Sequence, residues 1–190
     1  MGRWDECDEF GGLGTECVSE GRGWGGGVCV ILLRDESWDR CFHGIGTATS
    51  PLVTGPYIPT PPTTDPWICP VEQGGAIDPA YFHDASSGKD YILYKIDGNS
   101  IQGPTPILLQ QISPDDGVSK IGEPVQILTN DAGENLVEAP GMFRTKDERF
   151  VLAYSTGAYT DGSYALRYAI ASSLTGAFVK ANRETVARDG

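Results

Sequence analysis

One stretch of this chain occurs twice, about sixty residues apart, and that repetition restricts the folds open to it more than any other feature. The first copy is AIDPAYFHDASSGKDYILYK, Ala76 to Lys95, and the second is LVEAPGMFRTKDERFVLAYS, Leu136 to Ser155. In each, small or apolar residues lead to a carboxylate, Asp78 in one and Glu138 in the other, with Pro79 or Pro140 close behind. A polar turn comes next. Then comes a run of aromatic and branched residues of the kind strands favour, Tyr91 to Lys95 and Phe150 to Tyr154. Carboxylates placed alike in successive units predict that both units aim an acid at a common centre.

The repeat extends further. IGTATSPLVTGPYI, Ile45 to Ile58, is similar to RYAIASSLTGAFV, Arg167 to Val179, with Gly55 and Gly176 in matching places two periods apart. Between them Pro106 to Leu128 reads as an outer hairpin, turning at Pro114, Asp115, Asp116 and Gly117. Units of short antiparallel strands at even spacing predict an all-β chain built as a β-propeller, each blade covering one face of the next. Twenty-five glycines and thirteen prolines interrupt the chain too often for long helices. Counted by period, the units run from about Val28 to Pro70, Val71 to Asp131 and Ala132 to Gly190, or roughly two and a half to three blades where a closed ring needs at least about four. The chain therefore reads as part of a propeller domain over 28–190, preceded by a Gly-rich, acidic extension over 1–27 without a strand pattern and expected to be poorly ordered.

A net charge of −12 argues against nucleic acid or an anionic membrane surface as partner and is compatible with neutral sugars. No apolar run reaches the length of a membrane span, and the first residues lack the basic and apolar regions of a secretory signal. The five cysteines, Cys7, Cys17, Cys29, Cys41 and Cys69, show no metal-site spacing; a Cys41–Cys69 disulfide and five unpaired thiols both fit the sequence. His43 and His83 have no ligand partner nearby in sequence, which argues against zinc. Gly21, Gly23 and Gly26 satisfy a dinucleotide fingerprint, but VCVILL stands where a helix would be required, so that reading fails.

Taken together, GIGTATSPLVTGPY (Gly44 to Tyr57), GGAIDPAYFHDASSGKDYILYKIDGNS (Gly74 to Ser100), LVEAP (Leu136 to Pro140) and YALRYAIASSLTGAF (Tyr164 to Phe178) resemble glycoside hydrolase family 43, and most of all its secreted fungal members. The likeness covers roughly residues 42 to 180 and rests on order and spacing rather than on any one motif. It implies five-bladed propellers that hydrolyse arabinose- or xylose-containing plant polysaccharides with inversion, using three carboxylates at the central axis. On these residues it implies that Glu138 is the proton donor and that Asp78 modulates the donor's pKa and holds its orientation. The general base, an aspartate of the first blade, has no match in this sequence. The resemblance also implies an extracellular protein with no required cofactor, although a calcium ion near the axis is compatible with it and its ligands are not identifiable.

The chemistry accounts for these residue types. Protonating a leaving glycosidic oxygen needs a carboxylic acid that keeps its proton near working pH, and a neighbouring ionised aspartate and burial both disfavour the charged form. An inverting site also needs a second carboxylate about 6.5–9.5 Å away to activate water. Trp67 could offer a flat face to a sugar or could pack between blades, and packing is the commoner use. Asp97, Gly98 and Asn99 read first as a turn, with Asn99 a secondary candidate for a sugar contact. Three functions remain open: a hydrolase, impaired if the base is lacking; a carbohydrate-binding or vestigial propeller piece; and an unrelated all-β structural protein.

Overall fold

The computed structural model describes residues 15–18, 27–33, 43–50, 56–59 and 66–181. Its strands are β1 (Thr15–Val18), β2 (Gly27–Leu33), β3 (Gly44–Ser50), β4 (Ile58–Pro59), β5 (Ala76–Asp84), β6 (Lys89–Ile96), β7 (Ile107–Ile112), β8 (Lys120–Leu128), β9 (Val137–Arg144), β10 (Phe150–Thr156), β11 (Ala165–Ala171) and β12 (Val179–Lys180). Each run of four forms one sheet in which sequence neighbours pair, and every pairing is antiparallel. Three such meanders in succession are the blades of a partial β-propeller.

The strand β1 lies inside the segment 1–27, whose sequence shows no strand pattern, and its pairing with β2 supplies the first strand of the first blade. The earliest unit is therefore a four-stranded sheet rather than half of one. The glycines of the rejected dinucleotide motif, Gly21, Gly23 and Gly26, lie outside the described residues, as does Gly55. Strand β2 begins directly after that motif and is paired on both sides, so no helix is available to receive a phosphate. The similar segments Ile45 to Ile58 and Arg167 to Val179 become the third and fourth strands of the first and third sheets.

Strand β6 explains why its sequence looks apolar throughout. Alternate side chains serve two cores, so both faces are buried and no polar face is needed. Tyr91 and Leu93 join the core shared with the third sheet, beside Leu152, Tyr154 and Ala169. Ile92, Tyr94 and Ile96 join the core shared with the first sheet, beside Ile45 and Ile68. Phe82 meets Phe150 edge to face across the second and third sheets, with ring centroids 6.1 Å apart. On the far face of the third sheet, Phe143, Leu166 and Val179 are exposed. The comparable face of the second sheet is covered by its neighbour.

At the end of this interface where β5 turns into β6, Asp84 is buried and accepts hydrogen bonds from the hydroxyls of Ser86 and Ser87. It also takes an ion pair from Arg144 on the third sheet, at 3.0 Å. Burial pushes its carboxyl up, but the Ser87 and Ser86 hydrogen bonds and the Arg144 charge outweigh that and hold it below its ordinary value.

Candidate active site

The two acids stand in two matching irregularities. In β5, Ile77 pairs with Lys95 and Ala80 with Leu93, so Asp78 and Pro79 together oppose Tyr94. In β9, Glu138 pairs with Ser155 and Gly141 with Ala153, so Ala139 and Pro140 together oppose Tyr154. Each is a β-bulge whose second residue is a proline unable to donate to the ladder. The first bulge residue is in the left-handed region in both, Asp78 at φ +56° and Ala139 at φ +48°.

This register corrects the sequence alignment. The structural counterpart of Asp78 is Ala139, and that of Glu138 is Ile77, so the carboxylates are offset by one residue instead of being set alike. In a regular strand such an offset would turn them to opposite faces. The bulge changes which face each residue takes. Ala76 packs in the core shared with the first sheet, whereas Ala80 and Phe82 pack toward the third. The Ala139 N–H, adjacent to Glu138, donates to Asp78 Oδ2 at 2.9 Å, closing the two bulges on one another.

Three further residues complete the cluster around these acids, and a tyrosine borders it. Lys95 is 2 % exposed, and its Nζ lies 3.3 Å from Asp97 Oδ1 and 3.4 Å from Glu138 Oε2. It stands in the β6 row of Tyr91 and Leu93 that faces the third sheet, and it ends that row with a charge. Asp97, 3 % exposed, also accepts a 2.7 Å hydrogen bond at Oδ2 from His43 Nδ1, and its N–H donates to the Gly75 carbonyl. Gly75 has φ +100°, and a Cβ there would meet the His43 carbonyl oxygen at 2.3 Å, so only glycine lets this backbone pass. Tyr164, just before β11, borders the cluster on the side of Glu138 and Ser155. Burial first, then the negative charges of Glu138 and Asp78, push the Tyr164 hydroxyl above its ordinary value.

Burial raises the Asp78 carboxyl above its ordinary value. The Ala139 hydrogen bond and the Lys95 charge oppose that rise, and the charges of Glu138 and Asp97 add to it. Two carboxylates, Asp97 and Glu138, thus pair with one buried lysine, whose charge also acts on Asp78.

The remaining candidates lie elsewhere or at the margin. Trp67 donates its ring N–H to the Val118 carbonyl at 2.9 Å, and Lys120 sits over the ring at 5.5 Å. Val118 is in the β7–β8 turn, at the end of the second sheet away from Asp78, so Trp67 is a packing residue and not a sugar platform beside the acids. Asn99 is exposed in a short 3-10 turn, two residues after Asp97 and at the same end of the sheet as Asp78. The histidines do have carboxylate partners, supplied by the fold: His43 pairs with Asp97 and His83 with Asp90. Among the described residues, no group of three or more His, Cys, Asp or Glu side chains could hold a metal ion. Cys69 is disulfide-bonded, which excludes five unpaired thiols, and its partner is not among the residues whose side chains are described.

Sequence reading placed the stretch holding Lys95 and Asp97 near the site only through the resemblance and gave neither a role, and it did not bring in His43 or Tyr164. One signal was present: a lysine near the end of a strand whose central residues are all apolar or aromatic.

Comparison with known proteins agrees with this architecture. An endo-arabinase from Bacteroides thetaiotaomicron superimposes with a TM-score of 0.69 at 17% identity, covering 88% of this chain and 59% of that one. An endo-1,4-beta-xylanase from the same organism gives 0.63 at 20%, covering 89% and 53%. An exo-beta-1,3-galactanase from Phanerochaete chrysosporium gives 0.59 at 17%, covering 88% and 35%. This chain thus spans only part of the length of each. A search of curated proteins finds no match. The family model described as "Glycosyl hydrolases family 43" matches residues 31–189, and the chain belongs to that family.

Proposed function

We propose that this chain carries the acid half of an inverting glycosidase that cleaves arabinose- or xylose-containing plant polysaccharides. The observation that carries the proposal is the meeting of two bulged inner strands, where the Ala139 N–H beside Glu138 donates to Asp78 Oδ2. Glu138 is the proton donor: its carboxyl proton passes to the glycosidic oxygen as the bond from that oxygen to the anomeric carbon breaks. Asp78 modulates the donor and fixes its backbone through Ala139. A water attacks the anomeric carbon from the opposite face and gives its proton to a base carboxylate. Asp97 is not suited to that second task, being buried and paired with both His43 and Lys95. Among the described residues no other carboxylate is assigned as the base.

The substrate class is supported by family membership together with the arabinase and xylanase among the structural neighbours. The galactanase shows that similar folds also serve galactose polymers. A net charge of −12 suits an uncharged polysaccharide better than nucleic acid or an anionic membrane as partner. A disulfide at Cys69 fits an oxidising compartment, and we read the protein as extracellular. No helix among the described residues is long and apolar enough to cross a membrane.

The test is Glu138→Gln assayed on arabinan and xylan oligosaccharides. General acid catalysis contributes about 10²- to 10⁴-fold, so sugar release is expected to fall by that factor with binding nearly unchanged. Undiminished release would remove Glu138 from the donor role. Binding without release by the parent chain would favour a carbohydrate-binding piece instead.

A further inference from the structure

We propose that Lys95 is a positioning residue for the acid pair, its buried ammonium orienting Glu138 and supplying the countercharge for Asp78, with Asp97 and His43 holding it in place. The proposal rests on the glycosidase reading above and adds to it a residue and a chain of contacts. A buried ammonium costs several kcal/mol to desolvate and persists only where its partners satisfy it. Lys95 has two, Asp97 at 3.3 Å and Glu138 at 3.4 Å, and Asp97 is itself fixed by His43 at 2.7 Å.

The fold alone does not demand a cation here. Lys95 pairs with Ile77, and the residue in the same place one blade later is Ser155, which pairs with Glu138. The ladder position thus takes a small neutral residue in the third sheet and a lysine only where the carboxylates converge. The charged and titratable groups around it are Asp78 from β5, Glu138 from β9, Tyr164 before β11, Asp97 after β6 and His43 before β3. As Glu138 yields its proton, negative charge develops on its carboxylate. An ammonium already fixed beside that oxygen stabilises the change without having to reorganise.

The test uses the whole chain carrying Lys95→Met or Lys95→Arg, with two readouts. Carbon NMR of the Asp78 side-chain carboxyl, assigned by its loss in Asp78→Asn, follows its titration directly and needs no turnover. Removing a positive charge that lowers Asp78 is expected to move its midpoint to higher pH in Lys95→Met and to leave it in place in Lys95→Arg. In the oligosaccharide assay, Lys95→Met is expected to lower kcat on the order of 100-fold with KM little changed, as misplacement of a catalytic group does, and Lys95→Arg to restore part of the loss. A midpoint that stays put in folded Lys95→Met overturns the proposal, and so does a moved midpoint with unchanged kcat. Should Lys95→Met fail to fold, Lys95→Gln keeps hydrogen-bond donors without the charge and is held to the same outcomes. If the parent chain releases no sugar, the functional reading fails on its own, and the titration still decides whether Lys95 is the countercharge of Asp78.

Discussion

Asp78 is held in a state that serves the site at the expense of the fold. Its left-handed backbone suits aspartate or asparagine better than most residues, and its carboxyl is raised chiefly by burial. A carboxyl whose pKa is higher folded than unfolded contributes stability that is fully present below its unfolded value, near pH ~4, and is lost as pH rises through the folded value. Asp78→Asn keeps an oxygen to accept the Ala139 N–H and removes the charge. We expect its thermal midpoint to exceed the parent's at pH 7 and to converge with it below pH ~4, while sugar release falls at least about 100-fold. A less stable variant at pH 7 would mean that the ionised carboxyl contributes more to the fold than its burial costs.

Among the strands, the position of Glu138 depends on how β9 is fastened to the preceding blade. Thr105 is fully buried, its hydroxyl oxygen accepts the Val137 N–H at 2.9 Å, and its own N–H donates to Asn130 Oδ1. Val137 immediately precedes Glu138. Thr105→Val leaves that N–H buried without an acceptor, at a cost of about 1–3 kcal/mol. Urea unfolding should report the loss, and faster hydrogen exchange at the Val137 amide should locate it. If neither changes, β9 is anchored by its ladder to β10 alone. The strands themselves were visible in the repeated YILYK and FVLAY runs, because alternation is local. The bulges were not, since Asp-Pro and Ala-Pro reveal a turned-over strand only once their partners, Tyr94 and Tyr154, are known.

From blade to blade, charge at both ends of the second–third sheet interface ties the molecule together, with apolar packing between. Opposite the acid cluster, Asp84 accepts from Arg144, whose buried Nε has no hydrogen-bond acceptor. Because the Asp84 carboxyl is held below its ordinary value, its contribution is present above the unfolded pKa and is lost as pH falls through the folded one. Asp84→Asn is therefore expected to lower stability by about 2 kcal/mol at pH 7 and to match the parent in strong acid. Urea midpoints measured across that range would decide it. Equal destabilisation at every pH would assign the effect to shape and not to charge.

The order of residues was enough to establish the all-β class, two units and part of a third, the outer hairpin turn and the family, because each is written in alternation, punctuation and period over short distances. It also named Asp78 and Glu138, and it left Trp67 between a sugar contact and the commoner packing role, which is the one the fold gives it. Folding was needed to show that the two acids sit one residue out of step and meet through bulges. It alone brought His43 to Asp97, 54 residues away, and Lys95 to Glu138, 43 residues away. Such pairs leave no periodic trace in a sequence, since their energy comes from the burial of charges that become neighbours only when the blades stack.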